Sequence, residues 1–305
     1  MVKILVIGSS NTDLITTMKR FPAPGETIEG AGFFTAMGGK GANQAIAALR
    51  SGGDVSFITS LGNDVNGQTA LEYYKQQGLD VSMSLVVDGV PSGTAVIWVN
   101  EAGENSIVIT PGANNRLTSE YIQQLENEIK TADLLVLQME IPYETVCTVC
   151  TLAKKYGRKV MLNVAPARKV DETLLQNVEI LVVNETEAET ISGQKLKEND
   201  VEEMVDLLLS MGPNVVLLTL GDKGCFLKTG NEKYHIPAYK VNPVDTTGAG
   251  DTFCGAFAAE FLRGKNWAEI LQFATAAAAI SVMQIGAQPS IPKQPEIQQF
   301  IKDNQ

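Results

Sequence analysis

Short apolar runs rich in Val, Ile and Leu recur along the chain at residues 4–7, 55–59, 134–137, 160–164, 180–183 and 215–218. Between them, apolar residues at helical spacing predict helices over 42–51, 68–77, 119–130, 144–156, 201–211, 249–262 and 267–283. Strands alternating with helices in this way predict an α/β fold, with a mostly parallel sheet covered by helices. A single large α/β domain absorbs all 305 residues, and no fixed-period repeat is present.

Two stretches break that rhythm. Residues 14–37 include FPAPGETIEGAGFFTAM, and residues 93–110 read GTAVIWVNEAGENSIVIT, where a polar turn separates two apolar runs. The second is a hairpin signal, and both resemble antiparallel strands. They predict a small sheet inserted twice into the main domain, either as a lid over an active site or as a plain sheet extension. Phe33, Phe34, Val96, Ile97, Trp98, Val99, Ile107, Val108 and Ile109 are too many for one side of such a sheet. Two covers are therefore expected, a ligand on one face and a second subunit on the other.

Composition narrows the partners. Hydrophobic residues make up 44% and charged residues 19%, which excludes disorder and coiled coil. The net charge of −11 argues against nucleic acid. The opening MVKILVIGSS has an apolar run too short for a signal peptide and reads as a first strand. The longest apolar stretch, 273–283, is broken by Thr275 and Ser281, so no membrane span is expected and the protein is placed in the cytoplasm. Four cysteines are too few for a disulfide scaffold there. Cys147 and Cys150 form a CxxC, but inside a helical pattern and without a second ligand pair, which favours a buried helix over a redox or metal motif.

In open α/β sheets ligands bind beyond the carboxyl ends of the strands. Here those ends run into Asn11-Thr12-Asp13, Asn63-Asp64, Gln138-Met139-Glu140, Asn184-Glu185-Thr186-Glu187 and Thr219-Leu220-Gly221-Asp222-Lys223-Gly224. Such a line of amides and carboxylates suits a hydroxyl-rich substrate and a metal-bound phosphate, although any one of them can simply cap a helix. No GxxxxGK[ST] is present, and the loop after the first strand lacks GxGxxG. The one histidine, His235, has no evident partner, so a general base is expected to be a carboxylate. The strongest local signal is Asp245-Thr246-Thr247-Gly248-Ala249-Gly250-Asp251, immediately before and into a helix. Amides at that helix start suit an anion, and Asp251 in the first turn reads either as a base beside a phosphate or as a helix cap. A second glycine-rich helix start is Gly38-Gly39-Lys40-Gly41-Ala42-Asn43-Gln44-Ala45.

Together GGKGANQAIAALRSGG (38–53), NxxE (Asn184 to Glu187) and DTTGAGDTFCGAF (245–257) resemble the signatures of the ribokinase, or pfkB, family of ATP-dependent carbohydrate kinases, in the family's order over essentially the whole chain. The resemblance implies a three-layer sandwich with a β lid. It implies that Asn11, Asp13, Gly39, Lys40, Gly41, Asn43 and Glu140 surround the sugar, with Asp251 as the base and Gly248, Ala249 and Gly250 as the anion hole. It further assigns Asn184 and Glu187 to Mg²⁺ and the ATP phosphates, and Thr219, Gly221, Asp222, Lys223, Gly224, Gly250 and Thr275 to the nucleotide. Asp245, Thr247, Ser281, Gln284, Gly286 and Ser290 match a monovalent-cation site, K⁺ being the natural candidate. Asn11-Thr12-Asp13, the lysine of GGKGANQA and the tail GAQPSIP favour D-ribose as substrate, and the family's dimers imply a homodimer through the lid. Deoxyribose, fructose or a nucleoside is the alternative substrate, and a catalytically silent sugar- or nucleotide-binding regulator the alternative class.

Overall fold

The computed structural model describes residues 3–196 and 200–304. In strand β1 (Lys3–Ile7), Ile4 and Val6 enter one hydrophobic cluster while Leu5 and Ile7 enter another. This period-2 split recurs at Val55 and Ile58, Val136 and Leu137, Val182 and Val183, and Leu217 and Leu218, as expected of strands buried on both faces. The chain continues through β2 (Asn11–Met18), β3 (Gly32–Gly38), β4 (Asp54–Ile58), β5 (Ser60–Gly62), β6 (Leu85–Val87), β7 (Gly93–Asn100), β8 (Asn105–Thr110), β9 (Leu134–Leu137), β10 (Lys159–Asn163), β11 (Ile180–Asn184), β12 (Val215–Thr219), β13 (Cys225–Thr229) and β14 (Lys233–Ile236). Eight strands make the central sheet, in the order β14-β13-β12-β11-β10-β9-β1-β4. It is parallel from β12 to β4, and β13 and β14 add an antiparallel edge.

Helices α1 (Lys40–Arg50) and α2 (Val65–Gln77) cover one face of this sheet. The other face is covered by α3 (Ser119–Gln124), α4 (Glu126–Thr131), α5 (Tyr143–Lys155), α6 (Glu172–Leu175), α7 (Glu185–Ser192) and α8 (Val201–Ser210). The chain then returns to the first face as α9 (Ala249–Phe261), α10 (Trp267–Ser281), α11 (Ala287–Ser290) and α12 (Gln294–Asp303). The result is the expected three-layer sandwich. Within α5, Cys150 is fully buried and Cys147 half-buried, both as free thiols. Both cysteines thus lie in a helix packed on the sheet, as the pattern of this segment predicts.

The second sheet has the order β3-β2-β7-β8. β7 and β8 form the expected hairpin, but β2 pairs with β7 in parallel, where antiparallel strands throughout were expected. The sheet also begins earlier, at Asn11, so Asn11-Thr12-Asp13 belongs to its first strand instead of a loop. Directly paired residues share a face. Asp13, Ala36 and Ala95 lie on one face with Ile15, Phe34, Ile97, Ile107 and Ile109, while Leu14, Phe33, Val96, Trp98 and Val108 lie on the other. Ile15, Ala95 and Ile97 are buried as a small cluster, whereas Phe33, Val96, Trp98 and Val108 are exposed. The Asn63-Asp64 end proves structural. Asp64 caps α2 by accepting from Gly67 N, and it also accepts from Ser92 N and Ser92 Oγ.

Candidate active site

The N-terminus of α1 is seated against the loop after β1. Glu140, just beyond β9, accepts from Ser9 Oγ at 2.6 Å and from Lys40 N at 3.1 Å, which ties the two parts together. Beside Glu140 a cavity of about 360 Å³ is lined by Asn11, Asn114, Met139, Tyr143 and Arg168, with Ile109 of the lid at its edge. Asp13 faces the same side from the lid root and is buried. Burial, reinforced by the charges of Glu140 and Asp251, pushes its carboxyl up to about 7 against the pull of Lys40.

A second cavity of about 230 Å³ lies on the other side of Lys40, lined by Asn163, Asn184, Glu187, Thr219, Gly248, Gly250 and Asp251. Here α9 packs against the backbone of α1, because a Cβ on Gly255 would sit 2.5 Å from Gln44 O. That close approach delivers Asp251, one turn earlier, to the α1 amides. Asn43 Nδ2 donates to Asp251 Oδ2 at 3.0 Å, and Gln44 Nε2 donates to Oδ1 at 3.0 Å. Gln44 also bonds Asn163 Oδ1 and accepts from Gln138 Nε2, so the carboxylate is held at both oxygens by a buried amide network. Gly248, at φ +75°, turns the chain into α9, and open space lies beside the Cα of Gly250. First-turn amides of a helix have no intrahelical acceptor and favour an anion.

On the far wall, Asn184 and Glu187 form a reciprocal capping box on α7. Asn184 Oδ1 accepts from Glu187 N, and Glu187 Oε2 accepts from Asn184 N, each at 2.8 Å. Burial raises Glu187 to about 7, although Asn184 N–H and Lys40 favour its charged form. Burial alone would lower Lys40, but Asp251, Glu140 and Glu187 hold it above its ordinary value. This arrangement supplies a positioned carboxylate, one retained ammonium and a helix start open to an anion, all beside the two cavities.

A family model described as pfkB family carbohydrate kinase matches residues 1–294. This chain belongs to the pfkB family. Among proteins of that family it is 39% identical over 300 residues to a ribokinase of Staphylococcus aureus, covering 97% of this chain and 99% of that one. It is 36% identical over 304 residues to a deoxyribokinase of Salmonella typhi, covering 99% of both. The solved structure of an Arabidopsis thaliana ribokinase complexed with ribose and ATP matches 99% of each chain with a TM-score of 0.92 at 33% identity.

In this pfkB-family chain Asn11 and Glu140 line the first cavity and Lys40, Asn184, Glu187, Thr219, Gly248, Gly250 and Asp251 the second, while the other expected site residues line neither. Gly39 and Gly41 bring α1 onto the loop after β1, and Ala249 opens α9. Gly221, Asp222, Lys223 and Gly224 form a short turn between β12 and β13, with Asp222 and Lys223 exposed. Thr275 does not line the cavity; it is buried in α10, its hydroxyl 3.7 Å from Cys225 Sγ. Asp245 accepts from Thr247 N and Gly286 N at 2.9 and 2.8 Å, which joins two of the expected cation segments. Ser281 and Ser290 donate their hydroxyls to Ala278 O and Ala287 O of their own helices, the Gln284 side chain is exposed, and Asp245 N donates to Val282 O at 3.1 Å. His235 is exposed on the edge strand β14. Sequence reasoning placed Gln44 in the glycine-rich segment and Ser9 and Gln138 at polar strand ends without giving them a role, and it passed over Asn163 and Asn114. Gln44 had a signal, standing directly after Asn43 in the glycine-rich segment, whereas the others come together only by folding.

Proposed function

We propose that this protein transfers the γ-phosphoryl group of ATP to the 5-hydroxyl of D-ribose, giving ribose 5-phosphate and ADP. The observation that carries the reading is Asp251, fixed by Asn43 and Gln44 on the wall of the second cavity, at the open start of α9. The sugar lies beneath the lid among Asn11, Asp13, Gly39, Gly41, Asn43 and Glu140. Asp251 accepts the proton as the 5-oxygen forms its bond to the γ-phosphorus, and the bond to the β–γ bridging oxygen breaks with its electron pair leaving on ADP. Phosphoryl transfer passes through a loose transition state, so most of the acceleration comes from positioning and charge stabilisation. Lys40 and the amides of Gly248, Ala249 and Gly250 supply positive potential within a chain of net charge −11. Thr219 and the turn Gly221–Gly224 shape the nucleotide end, with Thr275 behind the turn.

Magnesium arriving on ATP fits the residues present. Mg²⁺ commonly keeps several waters and takes one or two carboxylates plus substrate phosphates, and Glu187 with Asn184 offers such a wall without an all-protein cage. When bound, the ion neutralises charge on the transferring phosphates. A monovalent cation such as K⁺ is assigned to the turn gathered by Asp245, through Thr247 and the chain around Ser281, Gln284, Gly286 and Ser290. The lid, residues 14–37 and 93–110, closes over the sugar with one face, and its exposed apolar face pairs two copies as a homodimer. No helix among the described residues is long and apolar enough to cross a membrane, and the protein is assigned to the cytoplasm as the compartment of its proposed substrates.

A coupled ADP-release assay over ribose, 2-deoxyribose, fructose and common nucleosides tests the assignment, and ribose is expected to give the highest kcat/KM. The second reading is 2-deoxyribose, favoured by the 36% identity to a deoxyribokinase against 39% to a ribokinase. Better turnover of 2-deoxyribose selects it, while turnover of none of these acceptors overturns the sugar-kinase assignment.

A further inference from the structure

The four segments that join the lid to the main domain meet at one buried point. Leaving the core, Ser10 and Asn11 lead into β2, and a Cβ on Gly39 would lie 2.7 Å from Asn11 N. Gly93, which opens β7, leaves the room that the Asn11 and Asn114 side chains occupy. The returning chain passes Pro111 into the turn Gly112–Arg116, which carries Asn114. Asn114 is 1% exposed, and its amide spans the gap between the outgoing and returning chains.

Its hydrogen bonds fix an orientation. Ser10 N–H can only donate, and it meets Asn114 Oδ1 at 2.9 Å. The other end of that amide must therefore be Nδ2, which donates to Ser10 O at 3.2 Å and to Asn11 Oδ1 at 2.8 Å. Asn11 Oδ1 is thus held on Asn114, which leaves Asn11 Nδ2 as the end presented at the cavity beside Glu140. No hydrogen bond to Asn11 Nδ2 is formed within the protein among the described residues. Without Asn114 the Asn11 amide is free to turn over and present an acceptor beside the carboxylates of Asp13 and Glu140. A sugar hydroxyl that donates to a carboxylate still needs a donor for its own lone pair, and only one orientation of Asn11 provides it.

We infer that Asn114 is a positioning residue for sugar recognition, holding Asn11 as a hydrogen-bond donor to the substrate. It does not touch the reacting atoms. The inference rests on the reading above that Asn11 faces the sugar, and a double-mutant cycle separates the two claims. Asn11→Ala, Asn114→Ala and the double variant are compared for KM of ribose, KM of ATP, kcat and melting temperature. Asn114→Ala is expected to raise the ribose KM about 10-fold, in line with loss of one well-placed hydrogen bond, with ATP KM and kcat changed less than about 3-fold. In the Asn11→Ala background the same substitution should raise the ribose KM no further. Equal, additive increases in both backgrounds overturn the positioning role while keeping Asn11 in the sugar site. An Asn11→Ala variant with unchanged ribose KM overturns both. Should Asn114→Ala fail to fold, Asn114→Asp keeps the shape and the acceptor for Ser10 N–H while removing the amide donor. It carries the same expectation when ribose binding is measured at pH 8 by calorimetry, and unaltered ribose affinity in Asn114→Asp overturns the inference.

Discussion

Asp251 is a single carboxylate with both oxygens already accepting from amides, yet it lines the cavity at the start of α9. Replacing it by Asn keeps the size and removes the proton acceptor. Asp251→Asn is expected to lower kcat by about 10²–10⁴ with ATP KM nearly unchanged; a variant retaining more than about a tenth of the activity would leave Asp251 a helix-terminal residue. Asp13 makes a second expectation at this scale. Its carboxyl rises from 3.8 to about 7, chiefly through burial. The folded protein therefore retains a proton that the unfolded chain releases, and the resulting stability, present at low pH, is lost as pH rises through about 7. Sugar hydroxyls donate to the ionised form, so ribose binding should expel a proton below that pH and tighten as pH rises toward it. Calorimetry in buffers of different ionisation enthalpy reads this directly. Asp13→Asn should abolish the proton release, weaken ribose binding, and raise the melting temperature of the free protein more at pH 8 than at pH 5.

At the scale of elements, the position of Asp251 depends on how closely two helices approach. Gly255 lies where a methyl group would meet both Ala47 Cβ and Gln44 O at 2.5 Å, and neither backbone has room to retreat cheaply. Gly255→Ala should therefore push α9 off α1, cost about 1–3 kcal/mol of stability, and lower kcat by pulling Asp251 away from Asn43 and Gln44. Chemical denaturation and steady-state kinetics check the two effects, and unchanged kcat in a destabilised variant would show that Asp251 does not need its amide partners. The lid carries an independent expectation. Phe33, Val96, Trp98 and Val108 share its exposed face, and exposed apolar residues gathered on one face are of the kind that marks interfaces. Light scattering of the wild-type protein should give twice the chain mass. Trp98→Glu with Val108→Glu should give monomers with weakened ribose binding, and a wild-type mass of one chain would exclude the dimer.

At the scale of the whole molecule, a strongly negative chain binds a polyanion by concentrating its positive potential in one place. Lys40 and the α9 start line one cavity, where the phosphates and metal of the proposed ATP substrate would sit, while most carboxylates lie elsewhere on the surface. The turn held by Asp245 belongs to this scale, because Asp245 links Gly286, next to α11, to the segment that enters α9. A monovalent cation seated there would order the anion-binding helix start. Replacing a bulky organic cation with K⁺ should raise kcat, and an identical rate with K⁺, Na⁺ and Cs⁺ would remove the cation from the mechanism.

The sequence by itself determined a mostly parallel sheet covered by helices, because the alternation of strand and helix periods is local. Runs such as Leu134–Leu137 are too apolar for any but a doubly covered strand, and Phe253, Ala256 and Phe257 repeat at helical spacing. It also located the two glycine-rich helix starts, since a tight turn before a helix leaves its mark in adjacent residues. The hairpin of β13 and β14 had a local sign, Gly230-Asn231 between its strands, and was passed over because the short strands of an exposed edge lack the continuous apolar run of the interior. Other features had no local sign. The parallel pairing of β2 with β7 joins residues some eighty positions apart, and the amide network around Asp251 draws Gln44, Gln138 and Asn163 from three separate elements. Only tertiary structure decides these, because a hydrogen bond between distant side chains depends on where two backbones cross, and the residues at the crossing carry no periodicity that reveals their partner.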